Sequence, residues 1–116
     1  MKTTKLEIYG RVQGVFFRAN TKEFADKISL KGQVKNQDNG SVLITVQGTK
    51  EQIEQLISWI NSNPGMSKVE RIEKEEYNSK ETYKDFQIIR EDSFLKDKKK
   101  ALKNLFYKRS QNLSRP

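Results

Sequence analysis

Cysteine and histidine are both absent from the 116 residues of this chain. Without cysteine the chain can form no disulfide, no thiolate nucleophile and no thiolate metal site. Without histidine it lacks the usual general base and the commonest metal ligand. Any catalysis must therefore rely on arginine, lysine, asparagine, carboxylates, backbone amides and water. We predict neither a metal site nor a cofactor.

Long hydrophobic runs are missing as well. No stretch approaches the ~18 apolar residues that indicate a membrane-spanning helix. The first ten residues alternate polar and apolar side chains and have no apolar region typical of a signal peptide. Hydrophobic residues make up 34% and charged residues 33% of the chain, which favours one domain with a small core. We expect a cytoplasmic monomer without a membrane span.

Positive charge is in excess and is unevenly distributed. Residues 1–90 hold 15 basic and 12 acidic side chains, whereas residues 91–116 hold 8 basic and 3 acidic ones. The net charges are therefore +3 and +5. We place a boundary near Arg90 and predict a domain over 1–90 with a basic C-terminal extension over 91–116, either helical or disordered. Its charge suits contact with a polyanion, while a solvated extension is the simpler alternative.

Hydrophobic periodicity predicts the first half of the fold. Alternating apolar residues indicate a strand over 3–12, and apolar residues at helical spacing indicate a helix over 17–30, with Gly32 as its stop. Strands over 33–37 and 41–48 follow. They flank Asn39-Gly40, a hairpin signal because both residue types accept positive φ.

The second half contains a helix and two further strands. Thr49 and Gln52 form a capping-box pattern at the start of a second helix. Val69 and Ile72 mark a fourth strand, although their three-residue spacing is irregular for one, and Phe86 begins a short fifth strand. The first six elements, in the order β-α-β-β-α-β, predict an α+β fold with two helices on one face of a mainly antiparallel sheet. Many functions use this architecture, so the function must be argued from a site.

The loop between the first strand and the first helix is a candidate anion site. Gly14 allows a sharp turn, in which successive N–H groups can converge on an anion, and the helix N-terminus adds further N–H groups. Arg18 begins that helix, where its charge opposes the macrodipole unless an anion is bound. Its guanidinium can hold two phosphate oxygens at once. The alternative is an ordinary strand-to-helix turn with a surface arginine.

Asn36 is the second candidate. It lies two residues after Val34, so both side chains should face the helices. A polar amide in that position needs a partner. It either caps the hairpin or orients a water molecule.

These two segments together resemble the acylphosphatase family. The resemblance rests on Gly10-x-Val12-Gln13-Gly14-Val15-x-Phe17-Arg18 followed by Gly32-x-Val34-x-Asn36-x-x-Asn39-Gly40-x-Val42, and it covers roughly residues 3–90. It implies a ferredoxin-like fold and the metal-independent hydrolysis of carboxyl-phosphate anhydrides to carboxylate and inorganic phosphate. Residues 91–116 lie outside the pattern.

The resemblance also implies roles for particular residues. Arg18 and the loop amides would bind the phosphoryl group, and Asn36 would hold the attacking water. The amides would come from Gln13, Gly14, Val15, Phe16, Phe17 and Arg18. Inorganic phosphate, the product, would also inhibit. A different class of function stays open, namely a non-catalytic binding or regulatory module that residues 91–116 recruit to nucleic acid or a protein.

Overall fold

The computed structural model describes residues 1–90, so the predicted extension lies outside the described residues. The described part contains five strands and two helices. The strands are β1 (Lys2–Arg11), β2 (Lys31–Asn36), β3 (Val42–Gln47), β4 (Lys68–Asn78) and β5 (Phe86–Ile89), and the helices are α1 (Phe17–Lys27) and α2 (Lys50–Asn61). None of the helices within residues 1–90 is long and apolar enough to cross a membrane.

The strands form one sheet in the order β4-β1-β3-β2-β5. β1 pairs antiparallel with β3 and β4, and β2 pairs antiparallel with β3. β5 pairs parallel to β2 and makes the sheet mixed. The predicted ferredoxin-like architecture is confirmed. It places the start of α1 and the end of β2 at the same end of the molecule.

One hydrophobic core lies between the helices and the sheet. Leu6 and Ile44 contribute fully buried side chains from the sheet, and Phe17 and Leu56 contribute buried side chains from the helices. Trp59 of α2 also stacks on Phe24 of α1, with ring centroids 4.8 Å apart. These contacts fix the position of α1 and therefore of the loop that precedes it.

A β-bulge explains the irregular spacing in β4. Ile72 lies opposite Ile8 of β1, whereas Val69 lies opposite Gly10, so the register shifts by one residue between the two pairs. Both apolar side chains therefore pack against the core despite being three residues apart. Gly10 has a φ of 131°, and a Cβ there would collide with the carbonyl oxygen of Lys68. The bulge thus holds the end of β1 close to β4.

Helix α1 ends earlier than the sequence predicted. It was expected to reach Leu30 but ends at Lys27. The reason is that Ser29 adopts a φ of 58° and the Leu30 N–H donates to the Ala25 carbonyl at 2.8 Å, which closes the helix. Gly32, the predicted stop, lies in β2 instead, where a Cβ would collide with a backbone carbonyl of β3.

The predicted hairpin between β2 and β3 is confirmed, but its turn differs. Of the Asn39-Gly40 pair only Gly40 has a positive φ, of 92°. The Gly40 N–H donates to the Gln37 carbonyl at 3.1 Å, and the Gln37 N–H donates to the Ser41 carbonyl at 2.9 Å. Gln37 and Ser41 therefore belong to the loop rather than to the strands.

The predicted capping box of α2 is confirmed. The Gln52 N–H donates to Thr49 Oγ1 at 3.1 Å, and the Thr49 N–H donates to Gln52 Oε1 at 2.8 Å. Gln52 Nε2 also donates to the Ile28 carbonyl at 2.8 Å. This side chain therefore ties the start of α2 to the end of α1.

Candidate active site

The loop between β1 and α1 has the backbone shape of an anion-binding turn. Gly14 and Phe16 adopt positive φ values of 75° and 62°. Phe16 is the N-cap of α1 and offers no side-chain cap, and the first turn of α1 contains no acidic residue. Within residues 1–90, the N–H groups of Val15, Phe16 and Phe17 meet no hydrogen-bond acceptor. The start of α1 is therefore suited to an external anion.

A cleft of about 350 Å³ opens beside this loop. Its lining residues are Val12, Gly14, Phe16, Phe17, Arg18, Ala19, Asn36, Ile88 and Arg90. The structure thus brings Arg18 and Asn36, the two motif residues, to one cleft. Gln13 and Val15, which were predicted for the amide cradle, are not among its lining residues. Ile88 lies in β5 and Arg90 directly follows it, and neither was predicted as a site residue.

Asn36 is the last residue of β2 and lies on the same face as the fully buried Val34. Its Oδ1 atom is buried and has no hydrogen-bond partner in residues 1–90. Asn36 does not cap the hairpin, which was the alternative prediction. Asn39 does so instead, since its Oδ1 accepts a hydrogen bond from the Ser41 N–H at 3.0 Å. A buried acceptor without a partner costs free energy in the folded state, so this position is suited to a water molecule or a ligand that donates a hydrogen bond.

The side chain of Gln13 has a role that the sequence did not reveal. Its Nε2 donates to the carbonyls of Gln37 and Ser41, both at 2.8 Å. These bonds join the loop before α1 to the hairpin that follows Asn36. Gln13 is therefore a positioning residue, since it fixes the two halves of the candidate site relative to each other. No periodicity or motif could have identified this contact.

Glu7 supports the same hairpin from β1. Its Oε2 accepts hydrogen bonds from Ser41 Oγ and Gln37 Nε2 at 2.8 Å each, and from Asn39 Nδ2 at 3.3 Å. The bond from Ser41 is the largest of the effects that hold the pKa of Glu7 below its ordinary value. The turn that follows Asn36 is thus fixed by a charged hydrogen-bond acceptor.

Replacing Gln13 by alanine should weaken both the fold and the site. We expect the free energy of unfolding to fall by about 1–3 kcal/mol, because the carbonyls of Gln37 and Ser41 lose a partly buried donor. Denaturant unfolding measures this change. Gln87→Ala is the matched control, since the only hydrogen bond of that side chain within residues 1–90 goes to Asp85 on the surface. Equal stability of the two variants would contradict a stabilising role for these two hydrogen bonds.

Comparison with known proteins identifies the family of this chain. The model of the acylphosphatase family matches residues 4–88. This chain belongs to the acylphosphatase family. The acylphosphatase of Thiobacillus denitrificans is 42% identical over 73 residues, which are 63% of this chain and 82% of that protein. The acylphosphatase of Pasteurella multocida is 38% identical over 81 residues, covering 70% of this chain and 90% of that protein.

The fold agrees with a solved acylphosphatase. The crystal structure of acylphosphatase from Bacillus subtilis superposes with a TM-score of 0.72 and 35% sequence identity, covering 77% of this chain and 99% of that chain. The resemblance found in the sequence is therefore confirmed, and with it the enzyme class, a hydrolase acting on acyl phosphates.

Proposed function

We propose that the domain hydrolyses acyl phosphates with Arg18 and the amides of the loop before α1 holding the phosphoryl group and Asn36 holding the attacking water. The observation that carries this assignment is the buried, unpartnered Oδ1 of Asn36, which lines the same cleft as Arg18. A carbonyl oxygen of this kind accepts a hydrogen bond from water and orients it. The family membership of residues 4–88 supports the reaction class.

The reaction suits a site without histidine or cysteine. The water oxygen forms a bond to phosphorus while the bond from phosphorus to the acyl oxygen breaks, and the carboxylate leaves with the electron pair. Because a carboxylate is a stable leaving group, no general acid has to protonate it. The transition state spreads charge over the equatorial phosphoryl oxygens, so positioning and electrostatic stabilisation carry the catalysis.

The proton of the water also needs an acceptor. A phosphoryl oxygen of the substrate can take it, because a loose transition state demands little activation of the nucleophile. The product phosphate then occupies the same amides and guanidinium as the substrate. We therefore propose that inorganic phosphate inhibits competitively.

Hydrolysis of benzoyl phosphate in the presence and absence of a chelator tests this function. We expect equal turnover in both conditions. Phenyl phosphate should be left intact, because its phenoxide leaving group is much more basic than a carboxylate and needs an acid that the site lacks. Loss of turnover with the chelator would contradict a metal-independent reaction. Hydrolysis of phenyl phosphate at a similar rate would contradict the specificity for anhydrides.

A second, additional function is proposed for residues 91–116, which carry a net charge of +5 and lie outside the described residues. We propose that this extension contacts polyanions and is not needed for hydrolysis, since residues 1–90 contain both motifs. A chain ending at Arg90 should keep its turnover but lose salt-sensitive retention on a polyanion column. Lost turnover in a shortened chain that is folded by circular dichroism would show that the extension contributes to the site.

A further inference from the structure

The cleft has an exposed aromatic ring at its edge. Three large hydrophobic side chains among residues 1–90 are largely exposed, namely Met1 at 63%, Met66 at 71% and Phe16 at 80%. Only Phe16 of these lines the cleft that holds Arg18. Its neighbour Phe17 is 1% exposed and belongs to the core. The two adjacent phenylalanines therefore have opposite environments.

The backbone of Phe16 is also unfavourable. Its φ of 62° lies in the left-handed region, where a residue with a bulky side chain is strained. Strain of this kind persists where the surrounding structure imposes it, and it clusters at functional sites. The loop needs a left-handed residue here to turn its amides, but glycine would satisfy that need with less strain. The turn by itself therefore does not account for an aromatic side chain.

The path of the substrate provides a reason for the ring. A phosphoryl group held by the loop amides and Arg18 leaves the acyl group to extend outward through the cleft. Phe16 lines that cleft with most of its side chain exposed, and Ile88 lines it with a partly buried side chain that packs against the core. Both are apolar residues of the cleft that holds Arg18.

We propose that Phe16, with Ile88, binds the acyl group and that the site favours acyl phosphates with an aromatic acyl group. This inference rests on the proposed function and adds the class of substrate to it. A planar acyl group stacks on the ring of Phe16 and removes it from water, which a methyl group does only in small part. Phe16 thus determines specificity through its side chain, while its amide belongs to the phosphate cradle.

The test compares two neutral acyl groups on the full-length chain. The measured quantity is the ratio of kcat/KM for benzoyl phosphate to kcat/KM for acetyl phosphate. Both substrates carry the same phosphoryl charge. A change in how Arg90 or the phosphate cradle binds the phosphoryl group therefore alters both kcat/KM values equally and cancels in the ratio. In Phe16→Ala we expect the ratio to fall about fivefold, mainly through a higher KM for benzoyl phosphate.

Two further variants serve as controls. Phe16→Tyr keeps an aromatic ring on the same left-handed backbone, so it should retain most of the wild-type ratio. Met66→Ala removes a similarly exposed apolar side chain away from the cleft and should leave the ratio at the wild-type value.

Different results would overturn the inference on Phe16 and the proposed function. A ratio for Phe16→Ala equal to that of the wild type, with both substrates hydrolysed, would overturn this inference alone. An equal fall in Phe16→Tyr and Phe16→Ala would also overturn it, because the ring would not be the cause. If the wild-type chain hydrolyses neither substrate, the proposed function is overturned and this inference with it.

Discussion

Replacing Arg18 by lysine is expected to lower kcat/KM for benzoyl phosphate by about 10²–10³-fold. Lysine keeps the positive charge but presents a point charge. In the proposed mechanism the planar guanidinium of Arg18 donates two parallel hydrogen bonds to phosphoryl oxygens. These bonds strengthen as charge develops on the equatorial oxygens in the transition state. Removing the cation altogether in Arg18→Ala should abolish turnover and inhibition by inorganic phosphate together, because one group serves binding and catalysis.

Arg11→Lys is the matched control for this experiment. Arg11 is exposed at the end of β1, immediately before the loop, and does not line the cleft. Steady-state kinetics of both lysine variants, with inorganic phosphate as inhibitor, separate the roles of the two arginines. Near-normal turnover by Arg18→Lys would contradict the assignment of Arg18 to the phosphoryl group.

Asn36→Ala is expected to reduce turnover by about 10²–10³-fold while inhibition by inorganic phosphate persists. The variant loses the group proposed to orient the water but keeps Arg18 and the loop amides. Its stability should not fall, because the Oδ1 atom that is removed has no hydrogen-bond partner in residues 1–90. A collapse of activity without a loss of stability is the expected signature of a residue that serves the reaction rather than the fold.

Kinetics, phosphate inhibition and thermal unfolding of the same variant check these three results. Asn61→Ala is the control, since Asn61 is exposed at the end of α2. Loss of phosphate affinity along with activity would make Asn36 a phosphate ligand. A marked fall in stability would make it a structural residue.

Local patterns in the sequence predicted the elements of the fold. Alternating apolar residues, the hairpin residues and the capping box of Thr49 and Gln52 identified strands and helices, because each depends on neighbours within a few positions. The errors arose where distant backbone decides the outcome. Gly32 is needed for the close approach of β3 rather than for the end of α1, and the spacing of Val69 and Ile72 became intelligible only through the pairing of β4 with β1.

The candidate residues were also found from the sequence, through the two motifs that carry the family resemblance. Arg18 stood out because an arginine at a helix start opposes the helix macrodipole. Asn36 stood out because an amide that faces the core needs a hydrogen-bond partner. Their presence in one cleft supports the assignment. Three features could not be predicted from the sequence. They are the hydrogen bonds from Gln13 to the hairpin, the hydrogen bonds to Glu7 and the exposed ring of Phe16.

The sequence by itself determined the order of the elements, the family and the absence of histidine and cysteine chemistry, because these follow from residue types and short spacings. Tertiary structure alone decided which side chains surround the cleft. Strands β2 and β5 lie side by side although β3, α2 and β4 separate them in the chain. Asn36, Ile88 and the loop before α1 therefore line one cleft only after folding. Such contacts depend on the register and stacking of distant segments, which no local pattern encodes.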